Sequence, residues 1–138
     1  SPSPNIRILP AGPNLQEIYY HTTIYQEKEI DKVYMFLSQV VQYKQLEVLI
    51  MEIRSVTEVF VPERVITDDL VRDLFKIFQS ISRIYEFELT LWGWQMSQKI
   101  IEWLREVIMY KREFIIARFN INGIQFTRDR FGCIKHSL

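Results

Sequence analysis

Residues able to do chemistry are few in this chain and stand far apart. Cys133 and His136 have the C-x-x-H spacing of half a zinc site. Tetrahedral zinc needs four ligands, and the only other histidine is the distant His21. A flexible tail accounts for the pair better. His21 with Ser55 or Thr57 would join a base to a hydroxyl. Nucleophilic catalysis needs a third, orienting group as well, and no motif links these residues. Asp68 and Asp69 are adjacent carboxylates just before an apolar, helix-like run. There they suit the positive end of a helix better than acid–base work. The four glycines form neither G-x-G-x-x-G nor G-K-[ST], so no loop is built to cradle a phosphate. The expectation is a protein that is not an enzyme, with no cofactor and no metal.

Residues suited to recognition are better represented. In LWGWQM, 91–96, Trp92 and Trp94 bracket a glycine where a strand hands over to a helix. In α/β sheets, loops at strand carboxyl ends line the binding crevice, and tryptophan is enriched among interface hot spots. Core packing of at least one of the pair is the competing reading, and Trp103 reads as packing. Near the carboxyl terminus, Arg128, Arg130 and Lys135 interleave with Phe126 and Phe131. Basic residues among aromatics can hold single-stranded nucleic acid. Against this, the chain has seventeen cations and seventeen anions. A net charge of zero lacks the basic field that phosphate-backbone binding uses, so nucleic acid is the lesser alternative.

Three amphipathic segments would position these residues. In 27–45, Ile30, Val33, Tyr34, Leu37, Val40 and Val41 make one apolar stripe. In 67–83 the stripe is Leu70, Val71, Leu74, Phe75, Phe78 and Ile81, with Thr67 or Asp68 as N-cap. In 97–112 it is Ile100, Ile101, Leu104, Val107 and Ile108, with Lys111 and Arg112 suited to the negative helix end. Between them lie β-prone runs at 15–25, 46–53, 85–92 and 113–121. The last meets Asn122-Gly123, a strong hairpin signal, and GIQFTRDRF would return as an antiparallel edge strand. IRILP and PAGP predict a lead-in strand and a turn. Alternating strands and helices at this spacing predict βαβ crossovers and a mostly parallel sheet.

The strands also repeat. Each fits Φ-x-x-Φ-x-Φ, where Φ is apolar: Leu15, Ile18, Tyr20; Leu46, Leu49, Met51; Ile84, Phe87, Leu89; Phe114, Ala117, Phe119. Their first positions follow at intervals of 31, 38 and 30 residues. A strand plus a helix per unit is similar to the longer leucine-rich repeats, although only Asn122 supplies the asparagine that should follow the strand. The excess in the second unit is the loop VTEVFVPERV, 56–65.

The expected fold is therefore α/β: a mostly parallel four-strand sheet, helices on one face, leucine-rich-repeat-like, with a C-terminal antiparallel hairpin strand. Side chains alternate across a strand. The opposite face would carry Glu17, Tyr19, His21, Val48, Ile50, Glu52, Glu86, Glu88, Thr90, Ile116, Arg118 and Asn120. An uncovered face of this kind is an interaction surface, unless a helix or the tail folds over it. The partner-binding residues expected are Tyr19, His21, Ile50, Glu52, Glu88 and Arg118, with Trp92 and Trp94 at the rim. Apolar Val48, Ile50 and Ile116 make self-association an alternative.

The stretches ILPAGPNLQEIYY and VVQYKQLEVLIM resemble the FTH domain of nematode F-box proteins over roughly 8–121. Gln42, Tyr43 and Lys44 would take the places of its Gln-Trp-Lys, with Tyr43 for the tryptophan, and Leu46 and Leu49 would begin the strand. The resemblance implies an adaptor-type domain that recognises a protein target for a ubiquitin ligase. The sulfate-transporter/anti-sigma-antagonist (STAS) fold is similar in architecture. Its Asp-Ser-Ser-Gly pattern is missing from SVTEVFVPERVITDD, and it too implies a regulatory binding module.

At 138 residues the chain makes one domain, with 48% hydrophobic and 14% aromatic residues for a core. We expect a linker at 1–5, the domain at 6–127 and a flexible basic tail at 128–138. A single cysteine forbids an intrachain disulfide, and no secretory signal is evident, so an intracellular, cytoplasmic or nuclear, setting is expected. No apolar run approaches the roughly 20 residues that span a bilayer. The chain reads as part of a larger protein.

Overall fold

The structure, a computed structural model, describes residues 15–56, 63–110, 116–129 and 134–137. The lead-in strand and turn expected at 6–13 lie outside these residues. So do Thr57, Lys111, Arg112, Phe114, Arg130, Phe131, Cys133 and most of the loop 56–65.

The elements alternate as the periodicities dictate. β1 (Glu17–Ile24) leads through a single 3-10 turn (Glu27–Glu29) into α1 (Ile30–Val40). Then come β2 (Val48–Ser55), β3 (Arg64–Val65), α2 (Asp68–Ser80), β4 (Glu86–Trp92) and β5 (Trp94–Gln95). α3 (Gln98–Tyr110), β6 (Ile116–Ile121), β7 (Ile124–Asp129) and β8 (Ile134–Ser137) complete the chain. The main sheet has the order β1-β2-β4-β6-β7-β8, and β3 pairs with β5 in a separate two-stranded sheet. The first four strands of the main sheet are parallel and the last two antiparallel. Neighbouring parallel strands follow each other in sequence, and right-handed crossovers then put every helix on the same side.

That side holds the core. Ile18, Tyr20, Leu49, Met51, Phe87, Leu89, Ala117 and Phe119 are all buried there. Their layer is tied to the helices by aromatic contacts. Tyr20 stacks on Phe36 of α1, with ring centroids 3.8 Å apart. Phe78 of α2 meets Phe87 edge-on at 4.9 Å, and Phe87 meets Phe119 at 5.6 Å. Each buried large side chain contributes about 2–3 kcal/mol of apolar transfer, and edge-on aromatic pairs add to it. Thr67 is the N-cap residue of α2, and Asp68 and Asp69 occupy its first turn, both paired with Arg72. This is the helix-end role their position implies.

Two differences from the sequence reading have simple causes. Residues 128–138 were expected in a flexible tail. Instead, Arg128 ends up buried in β7, and 134–137 add a sixth strand beyond it. Within GIQFTRDRF, Ile124–Asp129 do return antiparallel, but β8 takes the edge. A four-residue strand is too short to show periodicity. The two-residue strands β3 and β5 escaped notice for the same reason.

Candidate functional site

Every second strand residue points away from the helices, and no described element covers that second face. The register draws its side chains into rungs. Tyr19, Ile50, Glu88 and Arg118 stand opposite one another across β1, β2, β4 and β6, continued by Thr127. One rung on come His21, Glu52, Thr90, Asn120 and Gln125. One rung back are Glu17, Val48, Glu86 and Ile116. Tyr19, His21, Ile50, Glu52, Glu88 and Arg118, six of the eight residues expected to bind a partner, share these rungs, and Trp92 follows on the same side.

The charges on this face are largely answered from the next strand. Glu52 contacts His21 Nε2 and lies 3.5 Å from Arg54 Nη2. Arg118 Nη1 donates to Glu88 Oε1 at 3.3 Å. Such half-exposed pairs contribute about 0–1 kcal/mol each, so they organise the surface more than they stabilise it. Glu17 and Glu86 pair with no cation among the described residues. The Glu17 carboxylate pushes the Tyr19 phenol above its usual value, and partial burial and Glu86 add to the shift. Tyr19 is 65% exposed, Ile116 is 37% exposed and Ile50 is half-buried.

Val48 departs from the expected apolar patch. It lies on this face but is only 4% exposed. A small side chain on a central strand, with Glu17 and Glu86 directly opposite, is covered by its neighbours. The apolar stripe proposed for self-association is thus interrupted at its middle.

Trp94 is a correction. Trp92 is 37% exposed and follows Arg54 and Thr90 on the open side, but Trp94 is 4% exposed and belongs to the core. Strict alternation would send residues two apart to the same side. Gly93 lies between them with φ +76° and turns the chain so that they part. The Trp94 indole N–H donates to the Ile53 carbonyl at 3.1 Å. A Cβ at Gly93 would run into the Ser55 carbonyl, so only glycine fits this turn.

The carboxyl ends of β1 and β2 are tied together by Arg64, which the sequence reading missed. Arg64 is 8% exposed. Nη1 donates to Ser55 Oγ at 2.7 Å, the Val56 carbonyl at 2.9 Å and the Ile24 carbonyl at 3.4 Å; Nη2 donates to the Tyr25 carbonyl at 2.6 Å. An arginine inside an apolar loop carries no periodic signal.

The pairing of His21 with Ser55 is not assembled, and Thr57 lies outside the described residues. Ser55 is buried on the helix side of β2, engaged by Arg64, and His21 stands on the open face opposite Glu52. His136 sits in β8 opposite Phe126, and no cluster of metal-ligating residues occurs among the described residues. Phe126 and Arg128, expected to interleave on a free tail, are both buried in β7. Trp103 is half-buried on α3 with the Lys99 ammonium 4.5 Å above its ring. No described helix is long and apolar enough to cross a membrane. No family model matches this chain, no curated protein matches it in sequence, and no solved structure matches it.

Proposed function

We propose that this chain is a protein-interaction domain that holds its partner on the open face of the sheet. One observation carries the reading: three helices cover one face of a six-stranded sheet, and no described element covers the other. The exposed face pairs Glu52 with His21 and Glu88 with Arg118 beside Tyr19, Ile50 and Ile116, with Trp92 at its rim. A surface with its polar groups pre-positioned loses little freedom on binding, and its exposed aromatics, Tyr19 on β1 and Trp92 at the end of β4, are the residue types that anchor interfaces.

The finer reading follows from the strand–helix units and from the FTH-like residues. The units stack in sequence order, as leucine-rich repeats do, and such stacks present their sheet face to a protein target. The domain would then be the target-recognition part of a larger intracellular adaptor, of the kind that brings substrates to a ubiquitin ligase.

The test is affinity capture with two baits, the native chain and a folded Tyr19→Ala/Arg118→Glu variant. A protein retained by the first and lost from the second supports the assignment. Identical captures from both baits refute it.

A further inference from the structure

A second site lies at the carboxyl end of the parallel strands, independent of the open face. There the amino-terminal parts of α1 and α2, together with β2 and Trp94, line a cavity of about 190 Å³. Its walls are apolar: Val33 from α1, Ile53 from β2, Leu70 from α2, Ile66 and the Trp94 ring. The Trp94 N–H is committed to the Ile53 carbonyl, so the indole offers the cavity apolar ring surface. An engineered apolar cavity of about 150 Å³ holds a benzene ring. One ring, or one branched apolar group, therefore fits.

The mouth has a different chemistry. Glu27 and Asp69 stand at it, beside Tyr34 and Thr67, whose hydroxyl oxygens are 3.4 Å apart. No cationic side chain lines the cavity among the described residues. Arg64 lies nearby, 3.8 Å from Glu27, but its Nη1 and Nη2 are spent on the ends of β1 and β2. Arg72 holds Asp69 at 2.6 Å without reaching the cavity wall. Glu29 and Asp68 also stand at the positive ends of α1 and α2. The Tyr34 phenol reports the local field: burial raises its pKa, and Asp69, Asp73 and Asp68 push it up further, against the lowering effect of its hydrogen bond with Thr67.

We infer that this cavity binds a small arylalkylammonium, its ring among Val33, Ile53, Leu70 and Trp94 and its ammonium between Glu27 and Asp69. An anionic ligand of the same shape would meet two carboxylates at the mouth. A neutral one would leave their charge unused.

Phenethylamine, 2-phenylethanol and phenylacetate separate these cases in titrations of the isotope-labelled chain followed by NMR. The expected result is a saturable shift of the Trp94 indole N–H and the Ile53 and Leu70 amides with phenethylamine. Phenylacetate should bind about tenfold more weakly. Glu27→Gln/Asp69→Asn should lower phenethylamine affinity to that of phenylethanol. Both side chains are more than half exposed, so the variant keeps its fold. Ile30→Trp, which places an indole in the throat, should abolish the shifts. No saturable response to phenethylamine, equal affinity for all three compounds, or binding that survives Ile30→Trp would each overturn the assignment.

Discussion

Asn122 grips the turn at Gly93 from both sides. Its Oδ1 accepts the Gly93 N–H at 2.8 Å, and its Nδ2 donates to the Trp94 carbonyl at 2.6 Å. The hairpin between β6 and β7 is thereby fastened to the turn that sends Trp92 to the open face and Trp94 to the core. Asn122 has φ +51°, a conformation asparagine tolerates better than most residues. Asn122→Ala should cost about 2 kcal/mol, from two lost hydrogen bonds and the strained backbone. Asn122→Asp keeps the acceptor but turns a carboxylate oxygen toward the Trp94 carbonyl. It should cost as much at pH 7 and recover below about pH 4, where the carboxyl regains a proton to donate. Urea melts at the two pH values check both.

The two glycines with positive φ should respond differently to alanine. Gly93→Ala meets both the left-handed backbone and the Ser55 carbonyl, and should cost on the order of 3 kcal/mol. Gly123 has φ +90° but only the Trp92 ring, 3.8 Å from an added Cβ. Gly123→Ala should cost about 1 kcal/mol. Equal losses in chemical denaturation would mean that the Ser55 contact is absent.

Arg64→Met should lower stability by about 3 kcal/mol, because the strand-end carbonyls lose their donors in a buried place. Arg64→Lys should recover little of it. One ammonium cannot reproduce the fork that reaches the ends of β1 and β2 together. Full recovery with lysine would contradict the bridging role.

Much of the architecture was legible in the sequence. The Φ-x-x-Φ-x-Φ register separated the buried layer from the rung Tyr19, Ile50, Glu88 and Arg118, because alternation in a strand is strict once one face is buried. Legibility failed where backbone conformation overrides alternation, as at Gly93, and Trp94 was misplaced as a result. Burial also depends on neighbours from other strands, which a single strand cannot report, so Val48 was misread as exposed. Arg64 was missed because its partners are backbone carbonyls, and these leave no trace in residue type.

Stability should depend on pH through Glu29. Burial raises its carboxyl pKa, but hydrogen bonds from the Gln26 and Tyr25 backbone N–H groups, at 2.8 and 3.1 Å, together with Lys32, outweigh burial and hold it below the usual value. A depressed folded-state pKa stabilises the fold above the unfolded value, and that stabilisation fades as pH falls through the folded value. Glu29→Gln should therefore be less stable than the native chain at pH 7. The gap should begin to close below about pH 4.3, the ordinary glutamate range. A gap that stays constant down to pH 2 would contradict this.

Binding on the open face should depend on its exposed aromatic at the β1 edge. Tyr19→Ala should weaken a partner by about 2 kcal/mol, as loss of an aromatic anchor does. Met35→Ala, on the exposed side of α1, should leave affinity unchanged, as titration calorimetry with the captured partner would show.

The most direct test places a photo-crosslinking residue at Ile50, on β2 of the open face, and in a second chain at Met35 on the helix side. Irradiation in the source cells should yield a discrete protein adduct from position 50. That adduct should be absent from position 35 and lost when Tyr19→Ala/Arg118→Glu is added. No adduct at position 50, or the same adducts from both positions, would contradict the assignment of the open sheet face as the partner surface.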